Sequence, residues 1–186
     1  MIPFPKKKYN IIYADPPWDY KFGKSSSRYI KNKYQTMSLE QICKLPVKNI
    51  TDDNAILLIW ITFPKLDWAF PVIKAWGFEY KTIFINWVKT YKNGNIFMGC
   101  GYYTRSNSEV CLLAKKGKGL DRKTHNINSV LHSPYLGHSK KPPEVRDKIV
   151  ELFGDLPRIE LFARPPKDRL FEDKSFEGWD VWGNEV

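Results

Sequence analysis

The chain has 186 residues, with 30 Lys or Arg against 20 Asp or Glu and a formal charge of +10. Its 42% hydrophobic and 15% aromatic content can build a packed core, which excludes global disorder, and the length suits one domain spanning residues 1–186. The longest apolar run, residues 55–61, is far below the roughly 18 residues that a membrane span needs, and no apolar export segment follows the lysines at 6–8.

Cys43, Cys100 and Cys111 are odd in number and widely spaced, which fits neither a disulfide framework nor a metal knuckle, so a reducing cytosol is the expected setting. A basic surplus attracts polyanions, nucleic acid most commonly, although solvated lysines in a Lys/Asn/Ile-rich chain would account for the charge equally well.

Residues 10–14 (NIIYA) read as a buried strand that must stop at Asp15, because Pro16 and Pro17 lack the ladder donor. Residues 16–37 form a polar, basic loop in which Lys21, Lys24, Arg28, Lys31 and Lys33 alternate with aromatics. Ser38 and Gln41 have capping-box spacing and open a short helix ending before Pro46. A turn is predicted at Asp52-Asp53-Asn54, a strand over 55–62, and a helix over 64–76 closed by Gly77 with a kink at Pro71. Further strands are expected over 80–89 and 109–115, then a helix that Pro142-Pro143 starts and Gly154 ends, then strands over 159–163 and 180–182. Buried strands alternating with helices predict an α/β domain with a mostly parallel sheet and helices on both faces. Ligands in such sheets bind beyond the carboxyl ends of the strands, where Asp15 sits.

Asp15-Pro16-Pro17-Trp18 is the most informative tetrapeptide. The prolines hold a carboxylate and a carbonyl side by side, two converging acceptors that suit a planar amino group, and Trp18 could cover a flat ring. An ordinary strand-ending turn with a packed Trp is the plain alternative. His125, His132 and His138 lack ligand spacing, so no metal is predicted.

The tetrapeptide is followed, in order, by Tyr34-Gln35-Thr36-Met37-Ser38, Asn86-Trp87-Val88-Lys89-Thr90, Glu109-Val110-Cys111-Leu112, His138-Ser139-Lys140-Lys141-Pro142, Ile159-Glu160-Leu161-Phe162-Ala163-Arg164 and Gly183-Asn184-Glu185. With these motifs the chain resembles the MT-A family of N6-adenine methyltransferases, to which the catalytic subunit of the eukaryotic messenger-RNA adenosine methyltransferase belongs. The resemblance runs from about Asn10 to the C-terminus. It implies a Rossmann-like methyltransferase fold in permuted order, with the catalytic motif first and the S-adenosylmethionine motif last.

By the same resemblance Asp15, Pro16, Pro17 and Trp18 are catalytic. Asp15, Lys141, Phe162, Arg164, Asn184 and Glu185 surround S-adenosylmethionine, with Lys141 near its carboxylate and Arg164, Asn184 and Glu185 near its ribose and adenine. Trp18, Tyr20, Tyr34, Arg105 and Glu109 are the acceptor-side residues. Each has a plain alternative: Lys141 as a helix flank, Arg164 paired with Asp168 or Glu160, Glu109 as a surface carboxylate, the aromatics as packing.

The expected reaction is methyl transfer to adenine N6 in DNA, with RNA second and a catalytically silent nucleic-acid-binding subunit third. A compact bacterial or phage-type enzyme of the cytosol is implied, with no membrane partner and with a homodimer or a methyltransferase-like subunit as its assembly. The basic segments 21–33 and 115–123 are expected to flank the pocket and grip phosphates.

Overall fold

The computed structural model describes residues 3–19, 36–137, 140–163 and 176–183. Seven strands form one sheet: β1 (Tyr9–Ala14), β2 (Thr51–Ile61), β3 (Glu79–Thr90), β4 (Ser108–Lys116), β5 (Val130–Pro134), β6 (Arg158–Leu161) and β7 (Asp180–Trp182). Their spatial order is β5-β3-β4-β2-β1-β6-β7, and every neighbouring pair is parallel except the two that β4 makes with β2 and β3. This is the mixed α/β, mostly parallel sheet expected of a Rossmann-like methyltransferase.

Two-residue periodicity sends alternate side chains to opposite faces, and both faces are apolar. Ile12, Ala14, Leu57, Ile59, Leu112 and Ala114 pack on one side in a cluster with Ile42 of helix α1 (Leu39–Cys43) and Val72 and Ile73 of α2 (Leu66–Ala75). Ile11, Tyr13, Leu58, Trp60 and Cys111 face the other way, against Val145, Ile149, Leu152 and Phe153 of α3 (Glu144–Phe153).

Local chemistry explains the helix ends. The hydroxyl of Ser38 accepts from the Gln41 N–H while the Gln41 side chain accepts from the Ser38 N–H, the reciprocal box read from the sequence. After α2, Gly77 (φ +85°) donates to Lys74 and Phe78 donates to Ile73, which satisfies the last carbonyls in a Schellman motif. A side chain at 77 meets the left-handed penalty, so Gly77→Ala is expected to lower stability by about 1–2 kcal/mol in urea unfolding. An unchanged midpoint would show that this turn relaxes without cost.

Three features differ from the sequence reading. Residues 52–54 belong to β2 instead of forming a turn, because neighbours use their polar groups: Asn10 donates to the Asn54 carbonyl (3.1 Å) and the Lys118 N–H to the Asn54 side chain (2.8 Å). The helix over 64–76 starts as a 3₁₀ turn at Phe63–Lys65, and α2 runs on through Pro71. β5 was not expected: its five residues carry an exposed Val130 and end on Pro134, and only pairing with β3 makes them a strand.

The antiparallel β4 has a further consequence. Its register sets Val110 beside Ile61 but Lys116 beside Ala55, so residues 115–118 lie at the amino ends of the parallel strands. They sit roughly 20 Å along the sheet from the end that carries Asp15, at about 3.3 Å per residue. The segment beginning at Lys115 therefore does not flank the Asp15 end as expected. Lys116 instead reaches the Thr51 carbonyl (3.5 Å) and the Asp53 carboxylate (4.0 Å).

Candidate active site

The ends of the strands and their parity bring together residues far apart in the chain. Tyr13, Cys111 and Trp87 all face α3, so the residues two positions on, toward the carboxyl end of the parallel strands, are Asp15, Glu109 and Lys89. Lys141 arrives from the other side, in the segment leading into α3. Its ammonium lies 2.9 Å from the Asp15 Oδ2 and 3.3 Å from the Glu109 Oε2, while Lys89 pairs with the Glu109 Oε1 at 2.5 Å. The result is a line of four alternating charges, Asp15–Lys141–Glu109–Lys89, whose side chains are only 10–21% exposed.

Aromatic rings floor this line. The Lys141 ammonium lies 5.7 Å from the Trp60 ring centre, and that of Lys89 lies 5.1 Å from Trp87 and 5.6 Å from Tyr135. Trp60 and Trp87 meet edge to face, and their indole N–H groups are fixed by the Tyr13 hydroxyl (2.6 Å) and the Ser133 carbonyl (2.9 Å). Burial pushes the Tyr13 phenol far up, so that hydroxyl stays neutral.

Burial of this kind disfavours a lone charge, and the neighbours reverse the effect. Desolvation works to raise the Glu109 carboxyl, but the Lys141 and then the Lys89 ammonium outweigh it and hold Glu109 below the usual carboxylate range. Desolvation likewise works to lower Lys141, and the Asp15 and Glu109 carboxylates more than offset it, so its ammonium persists above the ordinary lysine range.

The Glu109 contribution to stability is present above its unfolded value, about 4.3, and is lost as pH falls through its depressed folded value. That of Lys141 is present below about 10.4 and lost as pH rises through its elevated folded value. Glu109→Gln is therefore expected to flatten the acid limb of a stability–pH curve followed by circular dichroism. An unaltered acid limb would remove Glu109 from the linkage.

The Asp15-Pro16-Pro17-Trp18 turn is held at each point. Asp15 donates its N–H to Leu161 at the end of β6 (3.4 Å), Trp18 donates to the Pro16 carbonyl (2.8 Å), and Met37 donates to the Pro17 carbonyl (2.8 Å). The Trp18 ring is 3% exposed, and its indole N–H is bonded to the Trp60 carbonyl (3.0 Å). It is packed in the core, where it anchors the turn to β2; the structure thus shows the packed arrangement of this ring and not an open covering one. The Pro16 carbonyl uses one of its two lone pairs on Trp18.

Beside Asp15, the ends of β6 and β7 come unusually close. Phe162 has φ +63°, a left-handed conformation that a bulky residue adopts only under constraint, and such residues concentrate at functional sites. A Cβ at Gly183 would lie 3.1 Å from the Phe162 Cα and from the Ala163 carbonyl, so a larger residue there would press the two strand ends apart by a few tenths of an ångström. Phe162 itself rests edge-on against Trp182 with ring centres 5.5 Å apart.

Of the site residues anticipated from the sequence, Asp15, Glu109 and Lys141 come into ionic contact and Phe162 borders the same end of the sheet. Arg105 is exposed on the loop between β3 and β4, apart from the four-charge line. Tyr20, Tyr34, Arg164, Asn184, Glu185 and the basic residues from Lys21 to Lys33 lie outside the described residues. Sequence reasoning assigned no role to Lys89, Trp60 or Tyr135. For Lys89 a signal was available, since a lysine directly after the apolar part of a strand must find an anion if it is buried.

The family described as MT-A70 matches residues 9–185. The chain belongs to the MT-A70 family. It is 38% identical over 200 residues to the type II methyltransferase M.MunI of a Mycoplasma species, a match that covers 98% of this chain and 79% of that protein. It is also 26% identical to the human N(6)-adenine-specific methyltransferase METTL4 and 25% identical to the mouse protein of that name, matching 97% of this chain in each case but 38% of each relative. The MT-A70 match bears out the resemblance read from the ordered motifs.

Proposed function

We propose that this MT-A70 protein transfers a methyl group from S-adenosylmethionine to the N6 amino group of adenine in DNA. The observation that carries the reading is the Asp15 carboxylate, fixed beyond the carboxyl end of β1 and paired with the buried Lys141 ammonium. DNA is placed before RNA because the relative matched over 79% of its own length is named a type II methyltransferase, a class that acts on DNA.

The residues suit this cofactor. Lys141 offers a cation for a carboxylate, Asp15 and Glu109 offer anions for an amino acid's ammonium and for a sulfonium, and the junction of Phe162 with Gly183 forms a close-set cradle beside them. Family likeness adds Arg164, Asn184 and Glu185 to that group. When bound, S-adenosylmethionine supplies an electrophilic methyl.

The protein's part begins with the amino group, whose lone pair is delocalised into the adenine ring. The Asp15 carboxylate and the second lone pair of the Pro16 carbonyl accept its two hydrogens, pull the nitrogen toward tetrahedral geometry and localise its lone pair. Positive charge then grows on that nitrogen, so Asp15 stabilises the transition state more than the ground state. Alignment of the two reactants supplies up to about 7–11 kcal/mol more. A stacked adenine cannot reach this site, so the base must be flipped out or presented in a single strand. Tyr20, Tyr34 and Glu109 are its proposed contacts, and Arg105 is a proposed contact of the strand that carries it.

The test incubates purified protein and its Asp15→Ala variant with labelled S-adenosylmethionine and adenine-containing DNA or RNA. Label is expected in DNA with the wild type alone, and sequencing should find it on adenine N6. Transfer to neither polymer would defeat the enzyme reading, and transfer to RNA alone would change the acceptor.

A further inference from the structure

The loop between β3 and β4, residues 91–107, is rooted in the active site at both ends. Lys89 precedes it and Glu109 follows it, and these two side chains are ion-paired. Its base is stitched together by the Lys89 N–H on the Asn107 carbonyl and the Phe97 N–H on the Lys89 carbonyl, both 2.8 Å. Farther out, Ser106 donates to Gly99 (3.2 Å), and Gly99 and Gly101 run so close to the returning arm that a Cβ at either would collide with the Ser106 or Thr104 carbonyl. This is a closely doubled-back projection, with glycine where its arms touch.

Aromatic rings run outward along it. Tyr135, whose ring faces Lys89, is 4.7 Å from Phe97, which is 5.2 Å from Tyr91. Beyond them Met98 is 59% exposed, Tyr102 63% and Tyr103 fully exposed. No acidic residue occurs between 91 and 107, whereas Lys92 and Arg105 do. A protruding aromatic tip without carboxylates, joined to an adenine-modifying site, matches the chemistry of a nucleic-acid strand: π faces for bases and cations for phosphates.

We propose that this loop is a stacking platform for the nucleotides next to the target adenine, with Tyr102 and Tyr103 on bases and Arg105 on a phosphate. The proposal rests on the nucleic-acid substrate argued above. It adds the surface that holds the flanking strand while Asp15 engages the extracted base.

The experiment measures affinity for a fluorescent adenine-containing oligonucleotide, single-stranded and duplex, by anisotropy across a salt series. The proteins are the wild type, Tyr103→Ala, Tyr102→Ala/Tyr103→Ala, Tyr103→Phe and Arg105→Gln. Losing one stacked base should weaken binding roughly five- to 150-fold, and Tyr103→Phe, which keeps the ring, should recover most of it. Arg105→Gln should reduce the salt slope by about one. S-adenosylmethionine affinity and melting temperature should hold in every variant.

Wild-type affinity in the double alanine variant, or equal loss in Tyr103→Ala and Tyr103→Phe, would overturn the platform. So would a lowered affinity accompanied by dissociation of a dimer in sedimentation, which would assign the loop to a second copy of this chain. Binding is read without turnover, so a wild type that binds the oligonucleotide but transfers no methyl defeats the proposed activity and leaves the platform standing.

Discussion

Replacing Asp15 by alanine is expected to lower kcat/KM for methyl transfer about 10²- to 10³-fold, the cost of removing one group aimed at charge that develops in a transition state. Its loss should fall mainly on kcat, because the amino group gains its positive charge only during attack. Asp15→Asn keeps shape and one acceptor oxygen but removes the charge, so it should recover only a small part of the rate. The fold should survive: Asp15 is not fully buried, and Lys141 retains Glu109 as a counter-ion when it is removed. Single-turnover assays with matched melting curves would read both quantities. A variant with wild-type kcat would transfer the catalytic assignment away from this carboxylate.

The largest effect on stability is expected at Arg146 and Glu160. These residues are 8% and 6% exposed, and the guanidinium bonds both carboxylate oxygens, at 2.6 and 3.1 Å. It also lies 3.7 Å from the Phe176 ring centre. Removing one partner takes both of these bonds from the other buried charge, so Arg146→Met or Glu160→Gln should each cost about 3–5 kcal/mol in urea unfolding. That is a large share of the roughly 5–15 kcal/mol that holds a typical domain together. Replacing both with apolar residues should recover much of the loss, because the penalty lies in burying a charge deprived of its main counter-ion and not in the absence of the bridge. Single variants as stable as the wild type would show that water or another group reaches the site. The bond also joins α3 to β6, and Lys141 stands at the entrance to α3, so a loosened pair should weaken the placement of Lys141 on Asp15 as well.

How far the site could be read in advance differs from residue to residue. The apolar run 10–14 ending in two prolines located Asp15 at a strand end without any knowledge of its neighbours, since proline forbids the next ladder bond. The capping box at Ser38 and the glycine after α2 were equally local. Lys89 was legible only in part: its place after an apolar stretch calls for an anion, but that anion enters the sheet 20 residues later on a different strand. Trp18 illustrates the same limit: the sequence supplies an aromatic close to the Asp15 carboxylate, but only the carbonyl of Trp60 decides that its indole is tied into the core. β5 escaped notice because five residues with an exposed first position have no pattern of their own until β3 lies alongside.

By itself the sequence determined the order of most strands and helices, the position of Asp15 and the family, because each depends on local backbone chemistry or on motifs in a fixed order. Tertiary structure alone decided which charges meet. The antiparallel course of β4 sends Glu109 to the Asp15 end of the sheet and Lys115 and Lys116 to the other, although fewer than ten residues separate them. A sequence can specify how many charges a chain carries, but distance in the folded molecule sets which of them interact, since charge interactions fall with separation and are screened within about 10 Å in ordinary salt.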